Sequence, residues 1–505
     1  MLNKNKIRIA IIVDNPLRDL PSLVLLSYYL SKKGAVCYLV SSNIFSLNGG
    51  DEILNLSPDF VILNYIRPNN DKVVSKILRS GIKVGILETE GGVLVNVKEF
   101  VITGDKYIRE SIDCFFSWGK TVSEYLINKQ ILAREKIFVT GSPRFDFYVD
   151  PLKRSAKNLS SWSDSSRPMV LINTNFPISN PEFQSIEQEI SLYTDFLGFE
   201  KEEMLKNIEI EKVAIQQIAD IARHLASNFP MIDFVMRPHP FEKMDTYKQL
   251  LGNHTNIFLI KKGAVDGWII NAKAVIQRSC STAIESGLVN VPTFSPRWIK
   301  IPMEQPSAES VSIPCSNQDE LNKMLAEVID GHFIVPDYIK NNLDIVIEDW
   351  FYRIDGLSYQ RVGDLVLSRC DISQRESIAR NSAKSMKRNS VPPIKERMKR
   401  VFSYMTDFKR KIGIVDRMAL SVLNILGLPE DWVILKGIRI RDFSWWDNTE
   451  KAFTHERVES ILKEIDAVIG TGKDKPVAKT TTDETDYRYK FIGSKRSVVV
   501  NINNI

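Results

Sequence analysis

Two short segments carry the side chains best suited to holding a phosphate group. The first is Arg237-Pro238-His239-Pro240, which follows the apolar run 234–236. Both prolines favour extended backbone for themselves and for the residue before them, so the Arg237 and His239 side chains are expected to be held rigidly after a strand. A guanidinium can make a charge-assisted contact with a phosphate, and an imidazole can donate a hydrogen bond or a proton to a leaving phosphate. A turn whose histidine bonds only to a neighbouring group is the alternative.

The second segment is Arg278-Ser279-Cys280-Ser281-Thr282, which lies between a predicted strand, 274–277, and a predicted helix, 283–288. Backbone amides and hydroxyls at the start of a helix, together with the helix dipole, favour an anion. Ser279, Ser281 and Thr282 are therefore predicted to bind the phosphate, unless a hydroxyl only caps the helix. Glu285, one turn further, is predicted to bind a ribose hydroxyl, although a solvated helix acid fits the same pattern.

An acidic segment, Glu88-Thr89-Glu90-Gly91-Gly92, follows another apolar run, 83–87. A carboxylate at a strand end can act as a general base on an acceptor hydroxyl, and glycines let a ligand approach the backbone. Glu90 is the preferred base and Glu88 the second choice; a plain acidic turn is equally compatible with the sequence.

Two further strand ends carry polar side chains. Gly141 to Asp146 brings Arg144, a predicted donor-binding residue, and Asp146, which is either a nucleophile or the ion-pair partner of Arg144. The segment 173–176 brings Asn173 and Asn175, neutral groups that can orient a donor sugar; an asparagine-rich turn is the alternative.

The elements that must position these residues are apolar, β-branched runs alternating with helical patterns, which is typical of buried parallel strands in doubly wound α/β domains. Two such domains facing a cleft, with a mainly helical C-terminal region, are the predicted fold. Ligands of open α/β sheets bind outside the carboxyl ends of the strands. The predicted divisions are an acceptor-side domain 1–154, a linker 155–168, a donor domain 169–336, helices packing back 337–370, a flexible connector 371–393 and a basic helical region with a polar tail 394–505.

Composition sets the remaining expectations. The 505 residues carry a net charge of +5, and the five cysteines are scattered, without the close Cys/His pairs of zinc sites. They indicate a reducing compartment, and with no run recognisable as a signal peptide or membrane span we expect a cytoplasmic protein. The basic segment 375–417 predicts either peripheral contact with an anionic membrane or a solvated helix packed on the core. No nucleic-acid partner is expected.

With these motifs in order, the chain resembles the bacterial surface carbohydrate biosynthesis proteins, a GT-B-like group that includes the β-Kdo transferases. It is also similar to the bacterial sialyltransferases, which share an acidic pair before glycine, a His-Pro and a Ser/Thr pair. The matching residues are Thr89-Glu90-Gly91, His239-Pro240 and Ser281-Thr282, within a resemblance covering 5–365. Thr89 stands where the sialyltransferase pattern has an acid, which leaves the choice between Glu88 and Glu90 open.

The resemblance implies transfer of Kdo or a related ulosonic acid from a CMP-activated donor to a surface glycan of lipopolysaccharide or capsule, with no cofactor and no obligatory metal. Membership near the β-Kdo enzymes implies retention of configuration with Asp146 as nucleophile, whereas direct inversion needs only a base such as Glu90. The alternatives are a transferase using a CDP-polyol or a UDP-sugar, a UDP-sugar 2-epimerase, and a non-catalytic scaffold of a polysaccharide assembly complex.

Overall fold

Two separate sheets, each packed between helices, organise the part of the chain that the structure describes. The computed structural model describes residues 6–42, 51–67, 70–90, 105–159, 167–197, 199–388, 453, 455–470, 476–480 and 499–504.

The first sheet is built on six parallel strands with the spatial order β2-β1-β3-β4-β5-β6. Their bounds are β1 Arg8–Val13, β2 Val36–Ser41, β3 Phe60–Leu63, β4 Lys83–Leu87, β5 Cys114–Ser117 and β6 Ile137–Val139. Residues 9–13 of β1 are all buried, because helices cover both faces of the sheet. β2 and β3 lie on opposite sides of β1, so the order of the strands reverses here and the switch point of this domain lies between β1 and β3.

Helices on the two faces of this sheet enclose two apolar clusters. They are Leu20–Lys32, Asp51–Leu56, Asp71–Arg79, Lys106–Ser111, Lys120–Asn128 and Leu152–Leu159, with a 3₁₀ helix at Pro143–Tyr148. Residues 155–159, which the sequence predicts to be linker, belong to the last of these helices because Leu152 and Ala156 are buried against the sheet.

The second sheet is wholly parallel and has the order β12-β11-β10-β7-β8-β9. Its bounds are β7 Met169–Asn173, β8 Asp233–Arg237, β9 Ile257–Leu259, β10 Ala274–Ile276, β11 Thr293–Pro296 and β12 Ile313–Cys315. Here the chain proceeds from β7 to β8 and β9 on one side and returns to β10 on the other. The switch point of this domain therefore lies between β7 and β10.

Helices also cover both faces of the second sheet. They are Ile186–Leu197, Lys201–Asn228, Met244–Leu251, Val265–Asn271, Thr282–Gly287, Pro306–Ser310 and Gln318–Ile329. Glu200, between the first two of these helices, has extended backbone.

The chain then returns across both domains through helices Asp337–Trp350 and Ser358–Arg369. Leu343 packs on Gly287 of the second domain, and the backbone of Trp350 lies so close to Gly119 of the first that a Cβ there would come within 2.3 Å of it. The two domains thus share a helical bridge, and the predicted pair of doubly wound domains with a helical C-terminal region is confirmed.

Beyond this bridge, the predicted connector and tail differ from expectation. Residues 375–388 form helix Arg375–Arg388, anchored by the buried Ile378 and by an ion pair of Arg375 with Asp59. Helix His455–Ile469 packs its buried face on the first domain. Strands β13 Pro476–Thr480 and β14 Val499–Asn504 join the first sheet, β14 pairing antiparallel with β2. Of the basic helical region predicted over 394–505, residues 394–452 lie outside the described residues.

Candidate functional site

Hydrogen bonds join the loops at the switch point of the second sheet. The Asn173 Nδ2 donates to Thr282 Oγ1 at 3.0 Å, and the Asn175 Nδ2 donates to the Ser279 carbonyl at 3.3 Å. The buried Oδ1 of Asn173 has no hydrogen-bond partner among the described residues. Asn173 and Thr282 are thus brought together, next to the half-buried Ser281 in the chain, and their predicted donor-binding role stays a prediction.

Ser279 has a structural role that the sequence does not predict. It has a left-handed backbone, φ +56°, which is strained for a residue with a side chain. Its N–H donates to Glu309 Oε1 at 2.6 Å, and its Oγ accepts from the Gln305 N–H at 2.8 Å. The predicted phosphate contact by Ser279 is therefore corrected, because both groups hold the loop in shape.

Arg237 also has a structural role in place of the predicted phosphate contact. Its Nη1 and Nη2 each donate at 2.8 Å, to the carbonyls of Lys262 and Gly263, and its guanidinium lies over the Trp268 ring. Burial lowers the pKa of Arg237 to about 10. Since these bonds hold the loop after β9, Arg237 supports the site and does not present its Nη groups to a phosphate.

His239 is held in one tautomer. Its Nδ1 accepts from the Phe241 N–H at 3.2 Å, so in the neutral ring the proton resides on Nε2. Burial, with the nearby Arg18, lowers the pKa of His239 to about 4, while Glu90 opposes the shift. His239 is therefore a neutral hydrogen-bond donor at neutral pH, and Arg18 and Glu90 of the first domain lie near enough across the cleft to act on it.

Glu242, which the sequence analysis missed, fixes this histidine loop to the neighbouring one. One carboxylate oxygen accepts from Thr174 Oγ1 at 2.8 Å, from the His239 N–H at 3.0 Å and from the Phe176 N–H at 3.1 Å. The other accepts from the Tyr247 hydroxyl at 2.5 Å. The only signal in the sequence is an acid three residues after the histidine, and nothing local distinguishes it from a surface acid.

Glu90 faces the cleft from the first domain, between two arginines. Its Oε1 lies 3.3 Å from Arg18 Nη1, its Oε2 lies 3.7 Å from Arg67 Nη2, and its side chain is 41% exposed. Arg18 and Arg67 follow β1 and β3 just as Glu90 follows β4, so considering every strand end would have found them. The charged pair Arg18 and Glu90 on the first domain thus lies opposite the neutral His239 on the second.

Glu88, two residues before Glu90, is buried in the first domain. It is 2% exposed, and its Oε2 lies 4.0 Å from Arg67 Nη2. Burial raises the pKa of Glu88 to about 8, against a smaller lowering by Arg67. Glu88 is therefore protonated at neutral pH, which makes it a poorer general base than an exposed carboxylate.

Asp146 and Arg144 do not meet. The two Asp146 oxygens accept the N–H groups of Ser358 and Tyr359, at 3.0 and 2.8 Å, at the start of helix Ser358–Arg369. Asp146 is 1% exposed. Both predicted roles, nucleophile and partner of Arg144, are corrected, because both carboxylate oxygens accept hydrogen bonds from the start of helix Ser358–Arg369.

Arg144 instead pairs with Glu285 across the two domains. Its Nη2 lies 2.6 Å from Glu285 Oε1, and the Tyr148 hydroxyl donates to the other oxygen. Glu285 is 2% exposed, so it has no oxygen free for the ribose contact predicted for it. The pair ties helix Thr282–Gly287 of the second domain to the 3₁₀ helix Pro143–Tyr148 of the first.

No protein-family model matches the chain, and no curated protein matches it. Solved structures with a similar chain path include a putative UDP-N-acetylglucosamine 2-epimerase from Listeria monocytogenes, 15% identical, with 72% of this chain and 96% of that chain covered and a TM-score of 0.45. The UDP-GlcNAc 2-epimerase of Neisseria meningitidis is 12% identical, with 72% and 100% covered and a TM-score of 0.45. The wall teichoic acid polymerase TagF is 13% identical, with 74% and 90% covered and a TM-score of 0.46. At this distance the likeness concerns the fold alone.

Among the described residues, no group of three or more His, Cys, Asp and Glu side chains is placed to hold a metal ion. Within the same part of the chain, no helix is long and apolar enough to cross a membrane. Of the basic segment 375–417, residues 375–388 belong to the helix anchored on the first domain and the remainder lies outside the described residues.

Proposed function

We propose that the chain is a glycosyltransferase that binds a nucleotide-activated sugar at the second domain and an acceptor at the first. The observation that carries the proposal is the neutral His239, whose Nε2–H lies on the loop beside the β7/β10 switch point and opposite Arg18 and Glu90. A fixed donor of this kind suits the oxygen of a leaving phosphate, on which negative charge grows as the glycosidic bond breaks. Asn173, Ser281 and Thr282 line the same edge and supply neutral hydrogen-bonding groups.

The finer proposal is a CMP-activated ulosonic acid as donor, Kdo or a relative, and a glycan or glycolipid of the cell surface as acceptor. The order of the acidic, His-Pro and Ser-Thr motifs supports it. Such a donor carries one phosphate, and the cleft offers the His239 Nε2–H for it. No metal ion and no further cofactor enter the proposal.

Glu90 is the base in this mechanism. Its carboxylate reaches the cleft, whereas Glu88 is buried and protonated and Asp146 holds a helix end. A single displacement in which Glu90 takes the proton of the acceptor hydroxyl needs no second carboxylate and inverts the anomeric configuration. Retention, the outcome that the β-Kdo resemblance implies, needs a carboxylate nucleophile other than Asp146.

Thermal-shift measurements with CMP, CDP, UDP and GDP test the donor class. We expect stabilisation by CMP above the other nucleotides, and its loss in His239→Ala. Selective stabilisation by UDP or CDP would replace the ulosonate donor by a UDP-sugar or CDP-polyol, and no response to any nucleotide would favour the non-catalytic scaffold.

Incubation with CMP-Kdo and candidate acceptor glycans, followed by NMR of the product, tests the reaction. We expect CMP release, a new glycosidic bond and the inverted anomer, with the product absent in Glu90→Gln. A retained anomer would overturn the single displacement but not the donor site. Full turnover by Glu90→Gln would remove Glu90 as base.

A further inference from the structure

The C-terminal helix His455–Ile469 lies beyond residues 5–365, to which the resemblance extends. The apolar side chains on one face of this helix are buried: Val458, Ile461, Leu462 and Ile465. Their spacing of three or four residues is that of a single helix face. They belong to the same cluster as residues of helices Leu20–Lys32 and Leu152–Leu159. The C-terminal helix is therefore docked on the first domain through its apolar face.

Polar side chains connect both ends of this helix to the first domain. Near its C-terminal end, Asp466 Oδ1 accepts from the Tyr28 hydroxyl at 2.9 Å. Near its N-terminal end, Arg457 Nη2 donates to the Pro16 carbonyl at 3.1 Å. Arg457 and Asp466 are nine residues apart, or about 13.5 Å along the helix axis. The two contacts therefore reach different parts of the domain, a loop and a helix.

The loop that Arg457 contacts follows β1 and carries Arg18. Within it, the Asn15 N–H donates to Asp19 Oδ2 at 3.0 Å, and the Asn15 carbonyl accepts from the Arg18 N–H at 3.0 Å. The same carbonyl accepts from the Asp19 N–H at 2.7 Å. These bonds make the loop one compact turn, so a shift of Pro16 also shifts Arg18.

The Pro16 carbonyl depends on a donor from the protein, because Pro16 is buried. Buried backbone carbonyls are nearly always hydrogen-bonded. Arg457 supplies a donor that stays charged at neutral pH, and a hydrogen bond from a charged group is stronger than one between neutral groups. The contact between Arg457 and Pro16 therefore fixes where the loop lies.

The loop reaches the cleft through Arg18. The Arg18 Nη1 lies 3.3 Å from Glu90 Oε1, and the Arg18 Nε donates to Asp19 Oδ1 at 2.8 Å. Asp19 thus binds both the backbone of the loop and the guanidinium that faces Glu90. A continuous path of hydrogen bonds and one ion pair joins the C-terminal helix to Glu90.

We propose that Arg457 is a positioning residue for Glu90: it holds the Pro16 carbonyl, and the loop in turn holds the Arg18 guanidinium against the Glu90 carboxylate. This inference rests on the proposed function for the role of Glu90 as base. It adds the C-terminal helix to the elements that build the acceptor side of the cleft. Arg457 acts through the loop and not on the acceptor itself.

Steady-state kinetics of Arg457→Ala, on the full chain with CMP-Kdo and acceptor glycans, test the positioning role. We expect kcat to fall by about 10- to 100-fold, because a base displaced by about 1 Å takes the proton less efficiently. The KM for the donor and the thermal shift with CMP should stay as in the wild type, since His239 lies on the other domain. Tyr28→Phe removes the other polar contact of the same helix and is the matched control, with kcat expected to be unchanged.

Hydrogen–deuterium exchange in residues 14–20 follows the loop without any substrate. The N–H groups of Arg18 and Asp19, both bonded to the Asn15 carbonyl, report on the turn. We expect their exchange to be faster in Arg457→Ala than in the wild type and in Tyr28→Phe.

A wild-type kcat in Arg457→Ala would overturn the positioning role, and so would an equal loss of kcat in Tyr28→Phe, which would mean that helix docking alone matters. A rise in the donor KM without a fall in kcat would also contradict it. If the wild type transfers no sugar, the proposed function fails and Glu90 is no base. Faster exchange in Arg457→Ala alone would then still support the hold on the loop, whereas equal exchange in all three proteins would remove it.

Discussion

At the scale of single residues, the polar side chains at the strand ends divide by where their hydrogen bonds go. Arg237 and Asp146 use theirs inside the protein, on the carbonyls of a neighbouring loop and on the start of a distant helix. His239 and Asn173 keep one polar atom for a ligand, Nε2 and Oδ1. All four lie at or after the end of a strand in the sequence. Only their hydrogen-bond partners in the fold separate the residues that support the site from those that can contact a ligand.

His239 gives the sharpest residue-level prediction. The terminal amide of glutamine can place an N–H near the position of Nε2, whereas alanine provides no donor. We expect His239→Ala to lower kcat/KM by about 100-fold or more, as loss of one preorganised donor does, and His239→Gln to recover part of the loss. With the His239 pKa at about 4, the rate should show no step from this group between about pH 5.5 and 8.

Steady-state kinetics with each purified variant provide the measurement, with circular dichroism as the check on folding. His254→Ala serves as the control, since His254 lies in the turn before β9 and away from the described site. A glutamine variant as inactive as the alanine variant would mean that the ring does more than donate a hydrogen bond.

Glu88 makes a prediction about stability and pH. Its pKa is raised from about 4.5 in the unfolded chain to about 8 in the folded protein, so between these values the folded protein retains a proton that the unfolded chain releases. Its contribution to stability is thus present below about pH 4.5 and is lost as the pH rises toward 8. The free energy of unfolding of Glu88→Gln, relative to that of the wild type, should therefore rise by at least about 1 kcal/mol from pH 5 to pH 8.

Urea unfolding at several pH values measures this difference in the free energy of unfolding. Glu124→Gln, an exposed change in the same domain, should differ from the wild type equally at every pH. A Glu88→Gln curve parallel to the wild type would show that Glu88 titrates alike in the folded and unfolded chains.

At the scale of elements, the buried apolar parallel strands were predictable, whereas the strands β12, β13 and β14 were not. Residues 9–13 and 169–173 are apolar runs because both faces of each strand are covered, so the pattern alone marks the strand. β12 has three residues with a proline in the middle, too short to show any period. β13 and β14 lie in a polar region; β13 pairs with β14, and β14 pairs with β2, a strand more than four hundred residues earlier.

In the candidate site, too, only part was predictable from the sequence. His239, Asn173, Thr282 and Glu90 were predicted at the cleft because they lie at or after strand ends, and the carboxyl ends of parallel strands meet at one edge of a sheet. It misassigned Asp146, whose partner Ser358 is 212 residues away, and Glu285, whose partner Arg144 is 141 residues away. Partners so distant leave no mark in the local sequence.

Asp146 makes the element-scale prediction. Its two oxygens accept the N–H groups that helix Ser358–Arg369 leaves without partners in its first turn, as a capping side chain does. We expect Asp146→Ala to lower the free energy of unfolding by about 2 kcal/mol while each folded molecule remains active. Asp371→Ala, which removes an exposed acceptor from the Ser373 N–H, is the matched control and should cost about 0.5 kcal/mol.

Denaturant unfolding gives the stability, and intact-mass analysis after incubation with donor tests the chemistry. A sugar adduct on wild-type protein that is absent in Asp146→Ala would restore Asp146 as nucleophile and contradict the structural role.

At the scale of the whole molecule, the cleft is held by contacts of two kinds. One is the buried set in which Glu285 binds Arg144 and Tyr148 across the domains. The other is the bridging helix Asp337–Trp350, whose Glu348 makes an exposed ion pair with Lys120 at 2.8 Å. Buried and exposed pairs differ greatly in energy, since removing one partner of a buried pair leaves the other charge without compensation while an exposed pair is worth less than about 1 kcal/mol.

This difference predicts which contact sets the separation of the domains. Glu285→Ala leaves the Arg144 guanidinium unpaired in a closed interface, and opening the cleft to water relieves that cost. We expect the variant to show a larger radius of gyration in small-angle X-ray scattering and a lower rate of transfer, because His239 and Glu90 then stand further apart. Glu348→Gln should match the wild type in both. Since donor and acceptor bridge the cleft, saturating nucleotide and glycan should recover part of the compaction in Glu285→Ala. An unchanged radius of gyration with full activity would show that the bridging helix alone fixes the domains.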